Sequence, residues 1–150
     1  GLIGENPVGI PNNLFPLICN AALNKQQKLK VYGSDWNTID GTCIRDYIHV
    51  SDVAEGHLRT LKYLNNNQPN ILKMNIGTGL GTSVLELIDT FSKINKVDIN
   101  YEFSSRREGD LEEIVADNSL CNSLLNWKAA RSLEEMCSDG WNWKKNNNEY

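Results

Sequence analysis

With 150 residues, 40% of them hydrophobic and 23% charged, the chain holds enough apolar material for one soluble globular domain with its own core. Its formal net charge of −4 argues against nucleic acid as a partner, because a phosphate backbone asks for a basic excess on one face. No apolar run approaches the length that spans a bilayer and no charged-then-apolar leader opens the chain, so neither a membrane partner nor secretion is expected.

Residues Gly1 to Pro11 read as loop, with three glycines and two prolines. Asn12 or Asn13 then suits a helix N-cap, with Leu14, Leu17, Ile18 and Ala21 on one face and Pro16 in the first turn. Leu29 to Tyr32 reads as a strand ended by Gly33. A polar loop from Ser34 to Thr42 contains Trp36, and Ile44 to Val50 reads extended. Ser51 or Asp52 is expected to cap a helix carrying Val53, His57, Leu58, Leu61 and Leu64, which stops at Asn65–Pro69. Ile71 to Ile76 reads as a buried strand, with Leu72, Met74 and Ile76 on one face. Ser83-Val84-Leu85-Glu86 matches a capping box before a helix with Leu87, Ile88, Phe91 and Ile94. Asp98 to Phe103 alternates like a strand, and Asp117 is expected to open a helix with Leu120, Leu124 and Leu125. A second capping box, Ser132 to Glu135, starts a last helix with Met136, Gly140 and Trp141, and a frayed tail is expected at Asn146–Asn148. The order α-β-α-β-α-β-α-α is a mixed α/β pattern.

The four cysteines, Cys19, Cys43, Cys121 and Cys137, lack C-x-x-C spacing, and His49 and His57 belong to no ligand set, so no metal site is expected. Reduced, packed cysteines suit a cytoplasmic protein. Gly77-Thr78-Gly79-Leu80-Gly81 resembles a dinucleotide fingerprint, but the third glycine comes one position early and Asp98 begins a strand instead of ending one; it reads as a tight strand-to-helix turn. Arg45 and Arg107 are each flanked by acids in an acidic chain. Guanidinium forks match phosphate oxygens in pairs, and Asp46, Glu108 and Asp110 could orient them or accept ribose hydroxyls. The same spacing also suits two surface salt-bridge sets. Asn12-Asn13 at a helix start is either a phosphate seat or simply a cap. No nucleophile–base constellation is visible, and His49 on an alternating strand reads as a structural hydrogen-bond partner.

Several stretches carry a family resemblance. They are Gly9–Leu14, Leu29–Gly33, Asp40–Asp52, Asn75–Gly79, Arg106–Leu111 and Leu125–Trp127. Together they resemble the C-terminal part of the UDP-glucose 4-epimerase family, which are extended short-chain dehydrogenases/reductases, over nearly the whole chain. The resemblance implies an α/β fold of mixed short strands and helices, with residues 1–150 forming a UDP-sugar-binding domain and the Rossmann half absent. It implies that Asn13, with Leu14 beside it, contacts the UDP phosphate and that the backbone of Lys30, Val31 and Tyr32 reads uracil. Arg45 and Arg107 become the diphosphate clamps, with Glu108 and Gly109 in the same motif, and Asp110 becomes a nucleoside contact. Ile114 stands where the family often has tyrosine or cysteine beside the sugar, which leaves plain and N-acetylated hexoses open.

The family interconverts UDP-glucose and UDP-galactose with NAD, in galactose metabolism. It holds NAD through an N-terminal glycine fingerprint and works with a Tyr-x-x-x-Lys pair. Here Tyr32, Tyr47, Tyr63 and Tyr101 are followed at +4 by Trp36, Ser51, Asn67 and Ser105. No catalytic residue and no cofactor contact are therefore expected in this chain; NAD belongs to a longer parent, often homodimeric, whose N-terminal half is a possible partner. The other readings are a non-catalytic UDP-sugar module, a part of a sibling epimerase or decarboxylase, and a remnant whose Ile71–Ile76 strand expects a missing sheet.

Overall fold

A computed structural model describes residues 1–69 and 71–147. The elements run α1 (Leu14–Leu23), β1 (Leu29–Tyr32), β2 (Ile44–Arg45), α2 (Val50–Asn66), β3 (Thr82–Ser83), α3 (Val84–Asn95), β4 (Tyr101–Ser104), β5 (Glu113–Ile114), α4 (Ser119–Leu125) and α5 (Leu133–Asn146). The α/β class holds, but two short strands, β3 and β5, break the expected order. β1 and β4 pair in parallel, Leu29 against Tyr101. A second sheet places β2 between β3, antiparallel, and β5, parallel. No helix among the described residues is long and apolar enough to cross a membrane.

The main core lies where α1, α3 and α5 meet the β1–β4 pair. Ile18, Val31, Leu87, Ile88, Phe91 and Trp141 are buried there. Phe91 sits edge-on to both Phe15 and Trp141, at centroid distances of 5.8 and 5.7 Å, an arrangement that aligns ring edges with ring faces. Gly140 lets α1 approach α5: a Cβ there would lie 2.3 Å from the Phe15 ring. A smaller cluster holds Cys121, Leu125 and Trp127, with Met74 and Ile76 packed against it. All four cysteines are free and buried, as expected from their spacing.

Both capping boxes form, at Ser83–Glu86 and Ser132–Glu135. Four boundaries shift for local reasons. α2 starts earlier than expected because His49 is its N-cap, its Nδ1 accepting from the Ser51 N–H at 3.0 Å. Asn118, not Asp117, caps α4; the Asp117 carboxylate accepts from Ser119 N–H and Oγ just inside it. β4 begins at Tyr101, since its ladder with β1 is entered by Leu29 N–H donating to Asn100 C=O. Of Ile44–Val50, only Ile44–Arg45 pairs as strand, and Val50 already belongs to α2.

Ile71–Ile76 is not a strand. It forms no ladder with any of the described strands, and a strand needs that partner. Met74 and Ile76 still turn toward the Trp127 cluster, whereas Ile71 is 93% exposed. Of the expected frayed tail, Asn146 closes α5 and Asn147 is its C-cap; Asn148 lies outside the described residues.

Candidate functional site

The segment Asp40 to Asp52 carries aspartates every six residues, and each fastens a distant piece of chain. Asp40 accepts from Thr42 N–H and from the hydroxyls of Thr42 and Ser83. Burial works to raise its pKa, but those hydrogen bonds outweigh it and hold the carboxyl below the usual value. Asp46 accepts from Thr78 N–H at 3.0 Å, Gly79 N–H at 2.9 Å and Ala116 N–H at 3.3 Å. Asp52, fully buried, pairs with the Arg131 guanidinium and accepts from Ala130 and Arg131 N–H. Asp46 therefore does not orient Arg45, one of the roles open to it from sequence.

The Gly77–Gly81 segment is a structural turn, though no strand precedes it. Gly79 has φ +74°, and a Cβ at Gly77 would lie 2.5 Å from Ala116 Cβ and 2.6 Å from Asp46 Oδ2. The N–H groups that a dinucleotide phosphate would need are those of Thr78 and Gly79, and both already donate to Asp46. These residues do not fit a dinucleotide cofactor.

On the other face of the same segment, residues alternate into a cleft. Cys43, Arg45 and Tyr47 line it together, as the period of two in extended chain dictates. Opposite them stand Lys30, Val31 and Tyr32 from β1, and Leu14 from α1. The turn from Arg107 to Asp110 closes the mouth and supplies Arg107 and Asp110. That turn is tied by Asp110 N–H to Arg107 C=O at 3.2 Å and needs the positive φ of Gly109, +85°. The cavity measures about 130 Å³. Pockets for drug-sized ligands start at roughly 300 Å³, so it would take part of a nucleotide and leave the remainder outside.

Arg45 is held rigidly. Its Nη1 donates to the carbonyls of Ile44, at 2.7 Å, and Leu111, at 2.9 Å, while Nη2 lies 3.6 Å from Asp110 Oδ1. Arg107 Nη2 donates to the same Oδ1 at 2.8 Å, and its guanidinium lies 5.7 Å from the Tyr32 ring centroid. The hydrogen bond and the charge of Asp110 raise the Arg107 pKa still further. Two cations against one carboxylate leave a surplus of positive charge, with Lys30 adding to it. Burial pushes the Tyr47 phenol up to about 12 despite the nearby Arg45, so it stays neutral and available as a hydrogen-bond donor. Arg106 is different: it stacks 4.0 Å from the Trp36 centroid and pairs with Asp35 at 2.8 Å, and it does not line the cleft.

The structure thus gathers Leu14, Lys30, Val31, Tyr32, Arg45, Arg107 and Asp110 around one cavity. Asn13 caps α1 without a side-chain cap bond; its Nδ2 donates to Glu5 at 2.9 Å, and its neighbour Asn12 lines the cleft instead. Glu108 and Gly109 sit exposed in the closing turn. Ile114 pairs with Arg45 across β2–β5 and lines a second cavity of about 530 Å³, which shares Arg45 as a wall. Cys43 and Tyr47 were missed from sequence, although their alternation with Arg45 was there to be used. Leu17 and Val84, the remaining lining residues, gave no signal beyond core periodicity. A larger cavity, about 740 Å³ between α2 and residues 71–76, contains neither paired arginine, so charge convergence favours the smaller cleft.

Short paired strands backed by helices, with two arginines turned onto one carboxylate, make an α/β chain with a positively charged cleft. Residues 5–140 match the family model described as GDP-mannose 4,6 dehydratase, and the chain belongs to that family. It is 49% identical over 147 residues to the UDP-glucose 4-epimerase of Haemophilus influenzae, covering 98% of this chain and 43% of that protein. Against the Bacillus subtilis UDP-glucose 4-epimerase it is 47% identical, with the same two coverages. The crystal structure of the Stenotrophomonas maltophila enzyme with bound NAD and formylated UDP-arabinopyranose superposes with a TM-score of 0.92 at 43% identity, over 96% of this chain and 43% of that one. The Bifidobacterium longum enzyme in complex with NAD+ and UDP gives 0.91 at 38% identity, over 97% and 43%. The match is to the C-terminal part, and the chain spans less than half the length of these relatives.

Proposed function

We propose that this chain is the substrate-holding C-terminal domain of a cytoplasmic UDP-glucose 4-epimerase acting in galactose metabolism, and that it binds the UDP of UDP-glucose and UDP-galactose. The observation that carries the reading is the convergence of Arg45 and Arg107 on one side of a cleft whose other wall is the β1 edge, Lys30 to Tyr32. Paired guanidinium groups suit a diphosphate, and an apolar wall with a free strand edge suits a base. Leu14 lines the same cleft, and Asn13, Glu108, Gly109 and Ile114 belong to the same proposed site at its margins.

Anchoring UDP rigidly while leaving the sugar outside the small cavity fits a reaction in which the sugar must turn over between two faces. NAD would be held outside these 150 residues, because the one glycine-rich turn here is already closed by Asp46. With no Tyr-x-x-x-Lys pair, the chain is catalytically incomplete, and the remainder of a full-length enzyme supplies the hydride chemistry. The exposed apolar residues Leu58 and Leu61 on α2 and Ile71 nearby in sequence suit a surface for that remainder.

Calorimetry with UDP tests the binding: heat with a saturable isotherm is expected, and none at millimolar UDP from a chain shown to be folded would overturn it. Incompleteness is tested with UDP-galactose and NAD, where measured turnover by the homogeneous chain would refute it.

A further inference from the structure

Arg107 reaches the cleft from the connection between β4 and β5, and its own contacts do not fix where that connection sits. Its hydrogen-bond partner, Asp110, belongs to the same turn, and the Tyr32 ring lies 5.7 Å away. Downstream the chain is tied to β2: Leu111 C=O accepts from Arg45 Nη1, and Glu112 C=O accepts from Ile44 N–H. Upstream the β1–β4 ladder ends at Ser104, whose C=O accepts from Gly33 N–H at 2.9 Å. Between these two ties stands Arg106. Its Nε donates to Asp35 Oδ1 at 2.8 Å and its Nη2 to Asp35 C=O at 2.6 Å, while its guanidinium lies 4.0 Å from the Trp36 ring centroid. Both side chains lie over Gly33, just past the end of β1: a Cβ there would overlap the Trp36 indole nitrogen and stand 3.2 Å from Arg106 Cγ.

An exposed ion pair by itself contributes little, and Asp35 and Arg106 are 71% and 45% exposed. A planar stack combined with two directed N–H bonds is different, because it fixes the guanidinium in orientation as well as in distance. Arg106 directly precedes Arg107, so holding the one limits where the other can go. Neither Arg106 nor Trp36 lines the cleft, and the Arg106 charge is already met by Asp35. We propose that Arg106 and Trp36 are positioning residues, a clasp that sets the separation of Arg107 from Arg45 and so matches the two guanidinium groups to a diphosphate. The inference rests on the nucleotide reading above. Without the clasp Arg107 keeps its charge but is no longer placed in advance, and the ordering of its turn then subtracts from affinity.

The test is a double-mutant cycle on the 150-residue chain, read by titration with UDP, with Arg106→Ala, Arg107→Ala and the two together. Arg106→Ala is expected to weaken UDP binding about tenfold in the native background and less than about twofold where Arg107 is already alanine. Equal losses in the two backgrounds overturn the proposal, because Arg106 then acts on the ligand independently. Trp36→Ala, which removes no charge, gives the same loss as Arg106→Ala, and Trp36→Phe, which keeps a ring face, stays within about threefold of native affinity. Native affinity in Trp36→Ala overturns the proposal as well. Should Arg106→Ala fail to fold, Arg106→Lys takes its place in the cycle, since it keeps the charge and loses the planar fork. A readout without ligand separates the clasp from the nucleotide reading. Backbone nitrogen order parameters of Glu108–Asp110 are expected in the rigid range, about 0.85, in the native chain and below about 0.6 in Trp36→Ala. An unchanged turn overturns the clasp. Absence of UDP binding by the native chain strikes the nucleotide reading, and the order parameters then decide the clasp by themselves.

Discussion

Arg45 and Arg107 share a target but not a mode of support. Arg45 is braced by the Ile44 and Leu111 carbonyls, whereas Arg107 reaches in from an exposed turn and rests on Asp110 alone among hydrogen-bond partners described. A lysine cannot reproduce either fork. Arg45→Lys and Arg107→Lys are each expected to weaken UDP binding by about 1.5–3 kcal/mol, the range for hydrogen bonds to charged groups, with Arg45→Lys the larger because its braces are lost too. Titration calorimetry reads this directly, and unchanged affinity in both variants would reject the clamp. Asp40 offers a second test. Its folded pKa is held below the ordinary value of 3.8, so the stability it contributes is complete above that value and is lost as pH falls toward the lowered one. The acid limb of a pH–stability curve should therefore be shallower in Asp40→Asn. From sequence, the arginines were legible because acidic neighbours make a basic surface an unsatisfying account of them. Which acid serves them was not: Asp46 is adjacent in sequence but points to the opposite face, and Asp110 arrives from sixty-odd positions away.

At the scale of elements, the Asp40–Asp52 segment acts as a fastening strip. Its three carboxylates tie down Ser83, the Gly77–Gly79 turn and the Ala130–Arg131 stretch, and so fix the strand that presents Arg45. Asp52 is the most demanding of them, being fully buried against Arg131. Asp52→Asn leaves two backbone N–H groups and the half-exposed Arg131 with a neutral, weaker acceptor, and is expected to destabilise the fold by about 1.5–3 kcal/mol, the range for hydrogen bonds to charged groups. Urea unfolding monitored by tryptophan fluorescence checks it, and a loss under about 0.5 kcal/mol, the scale of ordinary surface substitutions, would reject the fastening role. The helices were legible because periodicity and two capping boxes agree over long stretches. β3 and β5 were not, because two residues carry no period; they exist only through their pairing with β2.

At the scale of the whole molecule, the chain covers 43% of its relatives' length. The α1–α3–α5 side is well packed, whereas Leu58, Leu61 and Ile71 face outward. Ile71–Ile76, expected as a buried strand, is neither buried nor a strand, because alternation alone cannot supply the partner that a ladder needs. In the isolated chain its amides should exchange with solvent at close to unprotected rates, while those of α3 remain protected. Strong protection of residues 71–76 in hydrogen exchange would contradict the open edge.

The buried cysteines give the molecule a built-in clock. Cys19 and Cys137 lie in the main core, and burial raises both thiols to about 12; Cys43 and Cys121 are buried as well and shifted the same way. A thiolate is the reactive form, so an alkylating reagent finds almost nothing to attack until the chain opens. Each thiol consumed then marks one opening event. Since the four report from the arginine cleft, the Trp127 cluster and the α1–α5 seam, their separate rates would rank these regions by the free energy needed to expose each one.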